Sequence, residues 1–365
     1  MTELQDRADD PTTGAVDPDR LMAFVLRAVD EVGATLNAAL VVMGDKLGYY
    51  RAMVASGPTT PARLADDTGT GEPYAREWLN AQAAGGYVEY DPASATYRLP
   101  AEQAVALTDE DSPAFLPGFF QIALGTVHDT DHVLEAARSG SGVGWHEHVG
   151  DVHLGCERFF RPGYHAHLVD ECLPALDGVV ERLGRGARVA DVGCGHGAST
   201  VLMAQAFPAS TFVGSDYHEA SVTVARERAA QAGVADRATF VTASAQTLDG
   251  GPYDLVTTFD ALHDMGDPVG AARRVREVLA ADGTWMLVEP AAGERVEDNL
   301  HPIGRAYYGF STLLCTPASL SQEVGLAIGT QAGPARLRDV VTAAGFTRFA
   351  AVAGTPFNTV YEVRP

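Results

Sequence analysis

The chain has almost no lysine. Lys46 is the single one, and arginine carries nearly all the positive charge. With 48 acidic against 26 basic residues the formal net charge is −22, so the chain repels phosphate backbones unless a basic face forms locally, and no Lys/Arg cluster is present to form one. Cysteine is scarce as well. Cys156, Cys172, Cys194 and Cys315 stand far apart without a C-x-x-C pair, which argues against a disulfide framework and for free thiols in a reducing cytoplasm. No apolar run reaches membrane-spanning length, so no membrane association is expected. Internal repeats are missing too. The acidic, polar residues 1–19 resemble neither a signal peptide nor a basic transit peptide, and a disordered tail is expected there. What remains is an ordinary globular composition, 46% hydrophobic and 20% charged, over 365 residues, enough for two domains with sizeable cores.

Apolar residues at helical spacing predict two helices over 21–56. Thr60-Pro61 opens a short helix as an N-cap followed by proline, Gly69 and Gly71 break it, and a second helix is expected over 72–84, closed by Gly85-Gly86. "YVEY" and "TYRL" then form a hairpin around Asp91-Pro92. Helix, turn, helix and a two-stranded wing is winged-helix order, and 20–100 is expected to be that domain. Residues 101–180 read as a mostly helical linker on the substrate side. From 181 to 365 short apolar runs alternate with amphipathic helices, which predicts a parallel sheet with helices on both faces. The last two strands, "TRFAAVAG" and "NTVYEVR", are joined too closely to be anything but antiparallel. The fold class expected is therefore α/β, a doubly wound, mostly parallel seven-stranded sheet behind a mostly helical winged-helix domain. The long stretch 291–333 is expected to be a lid.

The first of these strands runs into "VADVGCGHGAST". Gly193 and Gly195 permit positive φ and let a ligand touch backbone, and the following helix presents free N–H groups to anionic atoms. Two nucleotide readings fit the turn. Gly193-x-Gly195-x-x-Ala198 matches a dinucleotide fingerprint loosely, and Asp191-x-Gly193-x-Gly195-x-Gly197 matches the S-adenosylmethionine glycine loop fully. Asp216, ending the second strand, suits ribose hydroxyls in either case. The polar cluster "FDALHDMGDP" after the fourth strand and the antiparallel end of the sheet weigh against a dinucleotide domain.

With "ADVGCGHG", "GSDYH", "LHDMGDP" and "DGTWMLVEP" in this order, the chain resembles the class I S-adenosylmethionine-dependent methyltransferases, and within them the small-molecule O-methyltransferases with an N-terminal winged-helix domain. The resemblance implies S-adenosyl-L-methionine as cofactor and a fixed set of roles. Gly193, Gly195 and Gly197 would line its methionine end with Asp191 near the amino group. Asp216 would take the ribose, Tyr217 would cover the adenine, and Ser244 and Ala245 would lie at the adenine edge, Ser244 standing where the family often has Asp. Phe259 and Asp260 would frame the reacting end. Leu262-His263-Asp264 matches the run that carries the family's catalytic histidine, with Met265 in place of the usual Trp.

Methyl transfer to a hydroxyl is an in-line displacement that also needs a proton acceptor. A neutral imidazole at the carboxyl end of the fourth strand can be that base, with a neighbouring carboxylate fixing its tautomer. His263 and Asp264 are the candidates, the alternative being a His263 that only packs beneath the cofactor. Phe160, Tyr164 and His165 suit an aromatic or apolar acceptor, and Arg305 and Tyr308 belong to the expected lid. The histidines of "WHEHVGDVH" have loose metal-ligand spacing with no third ligand set by sequence, so no metal is expected. The second helix of the winged domain carries one Arg and two Glu in "EPYAREWLNAQAA", too little charge for phosphate contacts, so a homodimer built on the N-terminal domain is expected rather than nucleic-acid binding. N- or C-methylation, cyclisation with the same cofactor, and a cofactor-sensing winged-helix regulator remain the other readings.

Overall fold

The computed structural model describes residues 16–365. The expected disordered tail lies outside the described residues up to residue 15, and beyond that point it is replaced by helix. The Asp17 carboxylate accepts from the backbone N–H groups of Asp19 and Arg20 and starts α1 (Pro18–Lys46) inside the stretch read as tail. The described chain divides into two compact units, one ending at Thr108 and the other beginning at Asp109.

In the first unit α1 is followed by α2 (Tyr49–Ser56), α3 (Pro61–Thr68), α4 (Glu72–Ala84), the strands β1 (Glu89–Asp91) and β2 (Thr96–Arg98), and α5 (Ala101–Thr108). Thr60 caps α3 by accepting from Arg63 N, and Gly69 ends it in the left-handed conformation, as read from the sequence. β1 and β2 pair antiparallel with Glu89 opposite Arg98. The core of the unit is aromatic. Tyr49 and Tyr50 meet Trp78 edge-on with ring centroids 4.9 and 5.0 Å away, and Trp78 Nε1 donates to Leu40 O at 2.8 Å, tying α4 to α1. Gly44 permits this approach, since a Cβ there would lie 2.5 Å from the indole.

The second unit opens with α6 (Pro117–His128), α7 (Thr130–Ser139), α8 (Gly150–His167) and α9 (Val179–Arg185). Then β3 (Arg188–Val192), α10 (Ala198–Ala206), β4 (Thr211–Asp216), α11 (Glu219–Gln231), β5 (Ala238–Thr242), β6 (Tyr253–Phe259), α12 (Pro268–Val278) and β7 (Leu279–Pro290) follow. After α13 (Pro302–Phe310), α14 (Thr316–Leu320) and α15 (Gly333–Ala343), the chain ends in β8 (Arg348–Gly354) and β9 (Asn358–Arg364). The sheet order is β5-β4-β3-β6-β7-β9-β8, with β9 antiparallel to both neighbours and every other pair parallel. This is the expected fold class.

Side chains alternate between two cores, one on each face of the sheet. Val189, Leu255, Met286 and Val288 join one of them, and Ala190, Val256, Trp285 and Leu287 the other. Burial on both faces explains why these strands read as continuous apolar runs. The arrangement leaves the carboxyl ends of β3, β4 and β6 and the residues after them side by side, where ligands of open α/β sheets bind. Among the described residues no helix is long and apolar enough to cross a membrane. All four cysteine thiols are free.

Candidate functional site

A cavity of about 630 Å³ opens at this edge of the second unit. Its floor is the turn after β3. Gly193 and Cys194 donate their backbone N–H groups to Ser215 O at 2.8 and 3.1 Å, pinning the turn to β4. Three glycines there do three different jobs. Gly193, at φ +74, passes so close to Ala261 that a Cβ would lie 2.7 Å from it. Gly195, at φ +50, faces open space, with nothing within 4 Å of where a Cβ would stand. Gly197, at φ +76, does not line the cavity. A side chain there would strike Phe240 at 2.8 Å and Ala225 at 2.9 Å, so it serves the packing of the turn on the sheet.

Asp191 also stands away from the cavity wall. It is 1% exposed and points into the face occupied by α10. Its carboxylate accepts from Ser199 Oγ at 2.7 Å, Thr200 Oγ1 at 2.6 Å and Thr257 Oγ1 at 2.9 Å. Burial pushes this carboxyl up and the three hydroxyls oppose the shift. Asp191 therefore holds the start of α10 against β3 and β6, and the glycine turn keeps its shape because of it.

Asp216 is on the wall. Its Oδ2 accepts from Gly195 N and its Oδ1 from His218 N, both at 2.9 Å, which leaves carboxylate lone pairs facing the cavity. Burial raises its carboxyl against these two amides. Tyr217, Ser244 and Ala245 continue the wall, together with Gln246 and Thr247, and Phe259, Asp260, Phe160 and Tyr164 close the far side. Tyr164 packs on Phe259 with ring centroids 5.0 Å apart.

A side pocket of about 80 Å³ adjoins this end and shares Asp260, Asp264, Phe160, Trp145 and Cys156 with the main cavity. His263 opens on the side pocket, 3% exposed. Its Nδ1 lies 2.7 Å from Glu289 Oε2, and Glu289 Oε1 accepts from Leu262 N at 3.0 Å. The Nε2 atom is 3.3 Å from Asp264 Oδ1 in an ion pair. The tautomer partner is thus Glu289, on β7, and the sequence reading that gave this job to Asp264 missed it. A signal was present: Glu289 is the one charged residue in the buried run "TWMLVEP", 1% exposed. Burial pushes the imidazole down, but the Asp264 and Glu289 carboxylates push it further up, and the net direction is well above the ordinary histidine value.

Three expected acceptor residues are elsewhere. His165 and Arg305 are exposed, and Tyr308 turns away to meet Asn299 Nδ2 at 3.5 Å; none lines either cavity. Tyr307 lines the side pocket instead, its hydroxyl donating to Phe357 O at 2.9 Å. Of the clustered histidines, His148 is held by Asp129 at 2.8 Å, and His153 lies 2.9 Å from Trp145 O on the cavity wall. Among the described residues the group with metal-ligand proximity is a different one, His263, Asp264 and Cys315, with ligand atoms within 4.8 Å of one another.

The sheet order and the cavity beside the glycine turn are those of the class I S-adenosylmethionine-dependent methyltransferase fold. Human N-acetylserotonin methyltransferase in complex with SAM superposes with a TM-score of 0.69 at 16% identity, covering 96% of this chain and 99% of that one. The O-methyltransferase NcsB1 of neocarzinostatin biosynthesis, in complex with S-adenosyl-L-homocysteine and 1,4-dihydroxy-2-naphthoic acid, gives 0.62 at 19% identity, covering 93% and 98%. Residues 183–319 match the family model of a methyltransferase domain, and residues 35–109 match that of the Rv2258c-like winged HTH domain. The chain thus carries a methyltransferase domain behind a winged helix-turn-helix domain. A trans-aconitate 2-methyltransferase of Variovorax paradoxus is 36% identical over 126 residues, 34% of this chain and 45% of that one. The chain spans about half or less of the length of the curated relatives it matches.

Proposed function

We propose that the chain transfers the methyl group of S-adenosyl-L-methionine to a hydroxyl of a small organic acceptor, with His263 as general base. The observation that carries this reading is one continuous wall on which the glycine turn and Asp216 lead, past Phe259, to an imidazole held by a carboxylate. The residues present fit the cofactor. Gly195 leaves an open cradle over backbone, Asp216 has lone pairs for a ribose diol, and Tyr217, Ser244 and Ala245 form the wall for a base. When bound, S-adenosyl-L-methionine supplies a methyl on a sulfonium cation, whose positive charge favours loss of the imidazolium proton. His263 then takes the acceptor's proton at Nε2, while Glu289 holds Nδ1 and stabilises the resulting imidazolium. Phe160 and Tyr164 flank the acceptor, and 291–333 supplies Phe310, Leu314 and Cys315 to its pocket, acting as the lid over it.

Calorimetry tests the cofactor half. S-adenosyl-L-homocysteine is expected to bind and NADH not to bind, and Asp216→Ala is expected to weaken S-adenosyl-L-homocysteine about tenfold or more, since hydrogen bonds to a charged group are lost. An unchanged dissociation constant would place the ribose elsewhere.

The N-terminal unit is read as a dimerisation module. On α1 the side chains of Met22, Val25, Val29, Val32 and Leu36 are 41–64% exposed. Their alternating three- and four-residue spacing is that of a helix-pairing seam. The one arginine of α4, Arg76, is spent on Glu72 at 2.9 Å and Glu77 at 3.2 Å, which suits a protein partner better than a phosphate backbone. Sedimentation is expected to show a dimer of the 38.5 kDa chain and Val29→Asp a monomer; a wild-type monomer would remove this assignment. Four free thiols suit the reducing cytoplasm.

A further inference from the structure

α8 lays one face along the main cavity. His153, Cys156, Glu157, Phe160 and Tyr164, at three- and four-residue spacings, all line it. Two ring contacts fix the ends of this stripe. His153 meets His218, whose backbone N–H donates to the Asp216 carboxylate, with ring centroids 4.7 Å apart. Tyr164 meets Phe259 with centroids 5.0 Å apart. Glu157 lies between them, about one turn from His153 and about two turns from Tyr164. α8 also packs on α10, the helix that the glycine turn starts. The stretch of cavity from Asp216 to Phe259 therefore runs between the glycine turn on one side and the middle of α8 on the other. Among the α8 side chains on that wall, Glu157 carries the only carboxylate.

Two guanidiniums hold this side chain, which is 8% exposed. Arg161 Nε, on α8 itself, stands 3.1 Å from Oε1, and Arg228 Nη1, on α11, stands 2.9 Å from the same oxygen. Both closest contacts fall on Oε1 and neither on Oε2, so the pair sets the rotamer of a long side chain and leaves its second oxygen to the cavity. The other carboxylates of the wall are engaged or placed elsewhere. Asp216 accepts from two backbone amides, and Asp267 caps α12 by accepting from Gly270 N at 2.7 Å. Asp264 stands with His263, and Asp260 gives Oδ1 to Asn358 while its Oδ2 is buried without a partner. Glu323 is an exposed residue of 291–333 whose backbone passes Gly266, beyond the fourth parallel strand. Asp191 is away from this wall, its carboxylate taken by three hydroxyls.

Besides its nucleoside, S-adenosyl-L-methionine carries an amino-acid end with one ammonium and one carboxylate. We propose that Glu157 is the residue that recognises this ammonium, its Oε2 accepting a charge-assisted hydrogen bond while Arg161 and Arg228 hold Oε1 in place. This rests on the reading above, which puts the ribose at Asp216 and the sulfonium towards Phe259: the amino-acid end then leaves the sulfur where the glycine turn faces α8. The ligand's own carboxylate offsets the surplus positive charge of the two guanidiniums, so this corner suits a zwitterion. A nucleoside thioether without the amino group leaves Oε2 without that partner and gains less on binding.

The test is binding without turnover. S-adenosyl-L-homocysteine and its deamino analogue, in which hydrogen replaces the α-amino group, are titrated calorimetrically into the full chain. The wild-type protein is expected to bind S-adenosyl-L-homocysteine about tenfold or more tightly than the analogue, the worth of a hydrogen bond between charged groups. In Glu157→Gln the ratio is expected to fall to within about twofold, through loss of S-adenosyl-L-homocysteine affinity alone. The two guanidiniums can only donate, so the amide oxygen stays with them and the amide NH2 takes the place of Oε2, where it cannot accept. Glu157→Ala, which removes both oxygens, is a second variant with the same expectation. The deamino analogue reports on shape, and its affinity should stay within about twofold of wild type in both variants. Equal affinities in the wild-type protein overturn the proposal. So does a ratio that survives both substitutions, including one kept because both ligands weaken together, which is the mark of a merely structural role. If neither ligand binds the wild-type protein, the cofactor reading falls and the proposal with it; if both bind it equally, the proposal falls alone.

Discussion

Replacing His263 with alanine lowers turnover about a hundredfold or more, the usual worth of a positioned general base, while cofactor affinity changes little. The geometry supports that size of effect. His263 is nearly fully buried, its Nδ1 is fixed by Glu289 at 2.7 Å, and Nε2 is the ring nitrogen that Glu289 does not hold. Asp264 Oδ1 lies 3.3 Å from Nε2 without a hydrogen bond between them, and the Cys315 thiol shares this cluster, its Sγ within 4.8 Å of a ring nitrogen and of an Asp264 oxygen. The same neighbours set the pH dependence. A base works only when it is unprotonated, that is, above its own pKa. Burial lowers that of His263, but the Asp264 and Glu289 carboxylates raise it by more. Turnover should therefore rise with pH, with its midpoint on the alkaline side of about 6.5, the ordinary imidazole value. Glu289→Gln keeps a side chain of the same shape and removes one of the two charges, so the midpoint should move towards lower pH. Steady-state rates of both variants between pH 5 and 9 check the claim. Near-wild-type turnover in His263→Ala with the same product would show that the histidine only packs.

Asp191→Ala lowers stability by about 2–4 kcal/mol, because three hydroxyls that now donate to a carboxylate lose their acceptor together. Ser199 is 4% exposed, Thr200 0% and Thr257 0%, so water cannot take its place. The loss is limited by a second effect: burial already raises this carboxyl, so removing the charge also removes its desolvation. For a unit of this size the net change corresponds to a melting temperature lower by about 5–10 °C. Asp191→Asn should lose less, since an amide oxygen still accepts. Scanning calorimetry with and without S-adenosyl-L-homocysteine reads both consequences, the lower midpoint and the weaker ligand stabilisation expected once the glycine turn is no longer held. An unchanged midpoint would mean that the hydroxyls find other acceptors.

These two residues also show where sequence reasoning reached and where it stopped. Asp191 was legible as part of the nucleotide turn, because it precedes Gly193 at the end of an apolar run. The structure puts its side chain on the α10 face of β3, held there by the Ser199 and Thr200 hydroxyls. His263 was legible from the run Leu262-His263-Asp264 after a strand, but its tautomer partner was not. Nothing local distinguishes the adjacent Asp264 from Glu289. Only the parallel pairing of β6 and β7, with Phe259 opposite Val288, brings Glu289 alongside. The acceptor residues separate in the same way. Tyr307 and Tyr308 are neighbours in sequence, but about 100° apart around a helix, and the packing of α13 chose which one faces the pocket. Phe160 and Tyr164, four apart, share a face of α8, whereas His165 falls off it.

By itself the sequence determined the winged-helix order, the alternation of strand and helix, the antiparallel end of the sheet and the glycine turn, because each follows from local preferences: caps, breakers, hydrophobic period and loops too short to cross over. The tertiary structure alone decided which carboxylate holds His263, which glycine serves packing rather than ligand, and that Asp260 leaves one oxygen unpaired at the junction of two cavities. Those outcomes depend on strand register and on the rotation of packed helices, which are settled by contacts between residues far apart in the chain.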